Sequence, residues 1–232
     1  MLNIFIGYDP RLDDAYRTLC FSLRRRASVP LKITPLALSQ LAGIFDRPRD
    51  PLQSTDFAFS RFLCPYLSDY RGWSLFMDCD MLNLRDIAQL WALRDCEFAV
   101  QVVKHEHLPT ASTKFLAERQ TAYPRKNWSS LMLMNNARCS ALTPDYVESA
   151  AGLDLHQFKW VEEKHIGSID AGWNHLVGVS AHNSAICQLH YTNGGPWFAE
   201  HADCPFADIW RAEFACSQAA RRQAVQGDDL GA

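Results

Sequence analysis

Short apolar runs of five or six residues alternate along the chain with longer segments of helical period, and this alternation gives the first picture of the fold. Leu2 to Gly7 is an apolar run that ends at glycine, which predicts a buried strand. Asp9 and Pro10 follow as a cap and first-turn pair, and "DDAYRTLCFSLRRR" continues as a helix. Leu31 to Leu36 predicts a second strand, held between Pro30 and later turn material. "FDRPRDPLQS", with two prolines and mixed charge, predicts a loop. "TDFAFSRFLCPYL" sets apolar residues on one helical face, interrupted near its end by Pro65. Trp73 to Met77 predicts the next strand and Ile87 to Leu93 a short helix after it. Phe98 to Val103 and Leu131 to Met134 predict further strands.

Later in the chain, "TPDYVESAAG" reads as a capped helix stopped by glycine, and Ala185 to Tyr191 as a last strand. From Ala207 onward a helix is predicted, fraying through "QGDDLGA". Between the strand at 98 and the strand at 131 lies a long, polar, weakly periodic stretch, "KHEHLPTASTKFLAERQTAYPRKNW". Its length and composition predict an insertion over a site, such as an acceptor lid, or a flexible loop. No internal repeat or low-complexity linker divides the chain. Alternating strands and helices with short connections imply one α/β domain, with residues 1–206 as its body and residues 207–232 as a terminal helix and tail.

Composition narrows the class. The 232 residues are 48% hydrophobic and 21% charged, the balance of a globular protein with a substantial core. A net charge of -3 gives no global attraction for nucleic acid or anionic lipid. The one dense basic cluster, Arg24-Arg25-Arg26, fits a helix end where cations offset the negative pole of the dipole. Eight cysteines stand at 20, 64, 79, 96, 139, 187, 204 and 216 without a CxxC pair, so reduced thiols and a cytoplasmic location are expected. The N-terminal "MLNIFIGYDP" enters a strand-like run directly and shows no signal-peptide pattern. No stretch approaches the ~18 uninterrupted apolar residues that suggest a membrane span.

The chemistry concentrates in "WSLFMDCDML". An apolar strand delivers Asp78 and Asp80, separated by Cys79. In extended backbone, residues i and i+2 point the same way, about 6–7 Å apart at about 3.3 Å per residue. Two carboxylates so placed at the end of a buried strand can share one hard divalent cation, and that end of an open α/β sheet is where ligands bind. A turn in which the two aspartates cap backbone N–H groups is the competing reading.

A second stretch, "CQLHYTNGGPWF", ends a β-like run at His190 and opens into Asn193-Gly194-Gly195-Pro196-Trp197. A strand-end imidazole followed by a glycine pair can supply a metal ligand and backbone donors for an anion. The competing reading is a hydrogen-bonded core histidine before an ordinary turn. Two carboxylates and an imidazole suit Mn²⁺ better than Mg²⁺, because Mn²⁺ accepts a mixed O/N set. Elsewhere, Lys104-His105-Glu106-His107 reads as a solvated charge cluster, and Ser129-Ser130 lacks the G-x-S-x-G setting of a serine hydrolase. No Walker A or G-x-G-x-x-G sequence is present.

These stretches carry a resemblance. "SLFMDCDMLNLRDIAQLW" resembles the DxD segment of nucleotide-sugar glycosyltransferases of the GT-A fold, and is most similar to the retaining glycosyltransferase family 8. "HYTNGGPWF" resembles that family's late His-x-x-Gly-x-x-Lys-Pro-Trp element, whose histidine is the third metal ligand. "FAFSRFLCPYL" resembles the helix whose arginine, here Arg61, faces the diphosphate. "IFIGYDP" resembles the first strand and nucleotide-binding turn, and "NWSSLMLMNN" the strand after which an asparagine approaches the sugar.

The resemblance implies a mixed, mostly parallel, Rossmann-like sheet flanked by helices. It also implies transfer of a sugar from a UDP-sugar, with retention, to a glycan, lipid-linked or protein acceptor. Asp78, Asp80 and His190 would hold Mn²⁺ or Mg²⁺. Gly7, Tyr8, Asp9, Arg61, Asp78, Asn135, Gly194 and Gly195 would meet the nucleotide sugar.

Two departures accompany it. Gly195 stands where the family has a lysine, leaving Arg61, Lys104, Arg125 or Lys126 to supply that charge. The family's Asp-Gln-Asp segment has no clear counterpart; "LDLHQFKWVEEKHIG" occupies roughly its place, with Asp154, Gln157 and Glu162 as catalytic candidates. A catalytically idle nucleotide-sugar binder and a metal-dependent nucleotidyl or phosphodiester enzyme are the alternative functions.

Overall fold

The computed structural model describes residues 1–50, 53–106, 124–181 and 185–228. Two sheets organise them. The larger has six strands in the order β2-β1-β3-β6-β5-β7: β1 (Leu2–Gly7), β2 (Leu31–Leu36), β3 (Trp73–Met77), β5 (Val100–Val102), β6 (Leu131–Asn135) and β7 (Ile166–Ser168). Only β6 opposes the others, pairing antiparallel with β3 and β5, so the sheet is mixed and mostly parallel as expected. The smaller sheet joins β4 (Met81–Asn83), β9 (Gln188–His190) and β8 (His175–Leu176) in that order.

The central strands read as continuous apolar runs because both faces are covered. Ile4, Ile6, Leu75, Phe76, Met77 and Leu131 to Met134 are all fully buried. β2 lies at the sheet edge, where Pro35 removes no ladder bond that a further neighbour would need. Helix α1 (Asp13–Arg26) covers the sheet with Ala15, Leu19, Cys20 and Leu23, a stripe at helical spacing. Asp13 and Asp14 sit at its positive pole and Arg24 to Arg26 at its negative one. The last arginines also have a partner: Arg26 and Arg25 reach the buried Glu213 at 2.7 and 3.3 Å.

Glu213 belongs to α5 (Ala207–Asp228), which closes a second core over the small sheet. There Trp210 stacks on Phe214 at 5.0 Å and meets Trp197 at 5.2 Å, while Trp197 meets Tyr191 at 5.6 Å. The remaining helices are short: α2 (Ile87–Ala92), α3 (Pro144–Ser149) and α4 (Gly152–His156). None of the eight cysteines forms a disulfide. Among the described residues, no helix is long and apolar enough to cross a membrane.

Several expected elements change. The segment 55–67 forms two 3-10 turns, Ser60–Leu63 and Tyr66–Ser68, in place of a helix. Ser60, Arg61, Phe62 and Leu63 are buried together, so this segment is enclosed on every side and has no solvent face to give it helical period. Gly152 does not stop α3. It begins α4, and its bare Cα admits the Phe59 ring, which would lie 2.7 Å from a Cβ there. The strands expected at 98–103 and 185–191 are shorter, at Val100–Val102 and Gln188–His190. β4, β7 and β8, at two or three residues each, are too short to carry a periodic signal. Most of the proposed lid, residues 107–123, and His107 of the charge cluster fall outside the described residues.

Trp210 is 3% exposed and anchors α5 to the small sheet. Trp210→Ala is expected to lower the unfolding free energy by about 3–5 kcal/mol, the cost of emptying an aromatic core site. Urea denaturation measures it, and a loss below about 1 kcal/mol contradicts the anchoring.

Candidate metal centre

The two sheets meet at Asp78-Cys79-Asp80. Asp78 follows the last residue of β3, and its N–H donates to the Ser130 carbonyl at 2.9 Å. Asp80 precedes β4, and its carbonyl accepts from the Tyr191 N–H at 2.9 Å. Cys79 goes into the core between them; burial, then the two carboxylates, push its thiol well above the ordinary value, so it stays protonated. The antiparallel ladder pairs Met81 with His190 and brings the imidazole beside the aspartates.

His190 Nε2 lies 3.3 Å from Asp80 Oδ1 and 4.0 Å from Asp78 Oδ2. One ligand atom from each of the three residues lies within 4.8 Å of the others. Ions of the Mg²⁺ type bind oxygen at about 2.0–2.1 Å, which sets adjacent donors about 3 Å apart. The two carboxylates and one imidazole therefore fit one divalent ion with small side-chain adjustments, and leave part of its shell for a ligand.

Arg61 belongs to the same cluster. Its Nη1 is 2.7 Å from Asp78 Oδ1 and donates to the Ser129 carbonyl at 2.9 Å, while Nε donates to the Ala58 carbonyl at 3.0 Å. The guanidinium lies over the rings of Phe57 and Phe76, with centroids at 5.3 and 5.0 Å. Phe57 in turn rests on Gly7, where a Cβ would come within 2.2 Å of the ring. Gly7 thus acts through packing: its bare Cα admits Phe57, and Phe57 supports the arginine that grips Asp78.

At the end of β1, Tyr8 is half-exposed, its hydroxyl donating to Asp13 Oδ1 at 3.1 Å. Asp9 is fully buried and caps the turn Pro10–Leu12, as expected from the sequence. Its Oδ1 accepts from Arg11 N and Nε, both at 3.0 Å, and its Oδ2 from Arg11 Nη2 at 2.6 Å and Asp56 N at 3.2 Å. Burial acts to raise its pKa, but these hydrogen bonds outweigh it and hold the carboxyl below its usual 3.8. With both oxygens doubly engaged, Asp9 is a structural anchor for the Gln53–Asp56 segment. Tyr8 is the member of the pair that keeps exposed surface.

The remaining candidates separate. Asn135 is displaced from the site: it pairs with Trp73, at the opposite end of β3 from Asp78. Five residues of strand put it about 16 Å away. The expectation assumed that β6 points toward the site, but β6 runs antiparallel, so the residues before it, Asn127 to Ser130, approach instead.

Gly194 uses its N–H within the turn, donating to the Tyr191 carbonyl at 2.8 Å. At φ 118° it packs where a Cβ would strike the His201 ring. Gly195 likewise accommodates Trp197, whose ring lies 2.3 Å from a Cβ position. Of the cations offered in place of the family lysine, Arg61 touches an aspartate. Lys104 and Arg125 lie over the Trp128 ring at 5.7 and 5.3 Å, and Lys126 is buried. Asp154 pairs with Lys159 at 2.6 Å, Glu162 with Lys164 at 2.8 Å, and the Gln157 carbonyl accepts from Arg125 at 2.6 Å.

Sequence reading overlooked four residues around the ligands. Asn174 Oδ1 is 2.8 Å from His190 Nδ1, and its Nδ2 donates to Ser130 Oγ at 2.9 Å. Ser129 Oγ is 2.8 Å from His156 Nδ1, behind the carbonyl that holds Arg61. A buried asparagine just before a two-residue strand, in "DAGWNHL", was the only available signal, and it is weak.

No family model matches the sequence. Protein CDI of Arabidopsis thaliana is 46% identical over 223 residues, covering 91% of this chain and 85% of that protein. Among solved structures, the apo WbbM bifunctional glycosyltransferase superimposes with a TM-score of 0.63 and 13% identity over 92% of this chain. The present chain spans 49% of the WbbM chain. The galactosyltransferase LgtC, solved with donor and acceptor sugar analogs, gives a TM-score of 0.57 at 12% identity, covering 93% of this chain and 96% of LgtC. The fold is therefore the GT-A type of these glycosyltransferases, in a single domain.

Removing the Asp9 charge tests its anchoring role. Asp9→Asn is expected to cost about 1.5–3 kcal/mol at pH 7, the range for hydrogen bonds to a charged group. A depressed carboxylate pKa stabilises the fold above the unfolded value of 3.8 and stops doing so as pH falls through the folded value. The gap between wild type and Asp9→Asn in urea should thus close below pH 3.8. A gap that stays constant or widens on acidification contradicts the account.

Proposed function

This chain belongs to the family of Protein CDI of Arabidopsis thaliana, and we propose that it is a metal-dependent glycosyltransferase taking its sugar from a UDP-sugar. The observation that carries the reading is the Asp78–Asp80–His190 group at the C-terminal end of β3, on a GT-A-type scaffold. Mn²⁺ is the ion we assign, because the donor set mixes oxygen and imidazole nitrogen. The reaction we assign is of the retaining family 8 kind, on the resemblance of the DxD and His190 segments.

When bound, the ion supplies positive charge against the diphosphate of the donor and its leaving group. The chain's own residues do the rest. Asp78 and Asp80 aim from one strand end, and His190 closes the third side from the small sheet. Arg61 holds Asp78 in place and offers fixed positive charge beside it. Tyr8 offers a ring on which a uracil can stack. In a front-face retaining reaction, the bond from the anomeric carbon to the phosphate oxygen breaks as the acceptor oxygen bonds on the same face. The departing phosphate oxygen takes the acceptor's proton, so no strong base is required of the chain.

Residues 1–206 form the transfer domain in this reading, and residues 207–232 the helix that steadies its small sheet. Eight thiols outside any disulfide support a reducing compartment, which we take to be the cytoplasm. A glycan, a lipid-linked glycan or a protein is the class of acceptor. Gly195, in place of a cation, favours one rival, a binder of nucleotide sugars without turnover.

Calorimetry with UDP tests the reading. Mn²⁺ is expected to tighten UDP binding at least tenfold, or about 1.4 kcal/mol, and Asp78→Asn or His190→Ala should remove that gain. Equal affinity with and without Mn²⁺ rejects it. A panel of UDP-sugars assayed for released UDP separates enzyme from binder: turnover of one donor is expected, and metal-linked binding with no release from any donor identifies the binder.

A further inference from the structure

The neighbours of His190 determine which of its ring nitrogens carries the proton. The Asn127 carbonyl can only accept. It takes the Ser130 hydroxyl at 2.6 Å and faces Asn174 Nδ2 at 3.4 Å. Ser130 Oγ has given its hydrogen to Asn127, so it accepts from Asn174 Nδ2 at 2.9 Å. The nitrogen end of the Asn174 amide is committed on both counts. Its oxygen end therefore faces His190 Nδ1, 2.8 Å away. An amide oxygen only accepts, which places the proton on Nδ1 and leaves the Nε2 lone pair facing Asp80 and Asp78. Asn174 is fully buried and His190 is 1% exposed, so bulk water does not compete for these bonds.

We propose that Asn174 is the positioning residue of this centre. It locks His190 in the Nδ1–H tautomer, the one form that can present Nε2 as a neutral ligand. It also links the two halves of the site. Ser130 accepts Asn174 Nδ2 on its side chain and the Asp78 N–H on its carbonyl at 2.9 Å. One serine thus ties the ligand on β9 to the ligand at the end of β3. The arrangement suits an already acidic cleft. A carboxylate behind the histidine would do the same orienting work but add a third negative charge beside Asp78 and Asp80. The amide orients the ring and leaves the charge to the two ligands.

The functional side of this inference rests on the donor-site reading above, whereas the tautomer is a property of the metal-free protein. The test uses both. The tautomer is read by nitrogen-15 NMR of the histidine rings in the metal-free chain at alkaline pH. Mn²⁺ affinity is read separately by electron paramagnetic resonance, without nucleotide. Wild type is expected to show Nδ1–H at His190. Asn174→Ala should give a mixture of tautomers and bind Mn²⁺ about 10–100-fold more weakly, the usual effect of losing such a partner.

Asn174→Asp keeps an acceptor opposite Nδ1 and is expected to retain the wild-type tautomer. If Asn174→Ala does not fold, Ser130→Ala serves instead, because it frees the amide to turn and should loosen the tautomer preference. An Nε2–H ring in wild type overturns the proposal, as does an unchanged tautomer in the variant. A shifted tautomer with unchanged Mn²⁺ affinity overturns the positioning role. A wild type that takes up no Mn²⁺ defeats the donor-site reading, while the tautomer comparison still decides what Asn174 does.

Discussion

The site depends on one register. β4 and β9 pair antiparallel with Met81 opposite His190, and this single alignment sets an imidazole against the two aspartates that leave β3. Because side chains alternate along a strand, a slip of one residue would turn His190 to the opposite face of the small sheet. Much of the surrounding structure serves to hold that alignment. The Asp80 carbonyl takes the Tyr191 N–H, and Tyr191 is buried against Trp197 in a core that α5 closes with Trp210. On the other side, Ser130 takes the Asp78 N–H and the Asn174 amide. The two sheets are thus fastened together at the place where their acidic and imidazole groups converge.

Electrostatics then explain why an arginine stands among these residues. Two carboxylates in one buried cleft repel each other, and Arg61 balances one of them. Its position is secured in turn by Phe57 and Phe76, and Phe57 needs the bare Cα of Gly7. A remote glycine in this way helps to fix Asp78 through packing alone. In the proposed reading, a divalent cation would satisfy the remaining charge and the imidazole lone pair together. That combination, on a scaffold shared with glycosyltransferases, gives the chain its proposed chemistry.

The sequence revealed the parts that rest on local pattern. β1, α1, β2 and β3 lie where their apolar runs and caps put them, because each is long enough to show a period and is bounded by Pro, Gly or Asp. The convergence of Asp78, Asp80 and His190 was also legible, since two aspartates at spacing i, i+2 after an apolar run and a strand-end histidine have few bland explanations in combination. Direction and register were not legible. Asn135 was expected at the site because its sequence neighbourhood fitted, but β6 runs the other way, and sequence pattern carries no sign for strand direction. Asn174 and Ser130 escaped for a related reason: they matter through distant partners, and two- or three-residue strands leave no periodic trace. The segment around Arg61 misled because its apolar residues, at helical spacing, are buried in 3-10 turns in which neighbouring residues of every type are enclosed together.

The central claim is that Asp78, Asp80 and His190 Nε2 jointly hold one divalent cation that meets a nucleoside diphosphate. Crystals grown with Mn²⁺ and UDP, measured at the manganese absorption edge, test it most directly. The account predicts one strong anomalous peak bonded to all three residues and to phosphate oxygens of UDP. Manganese bound elsewhere, with Asp78 still held by Arg61 and no peak beside His190, would contradict it.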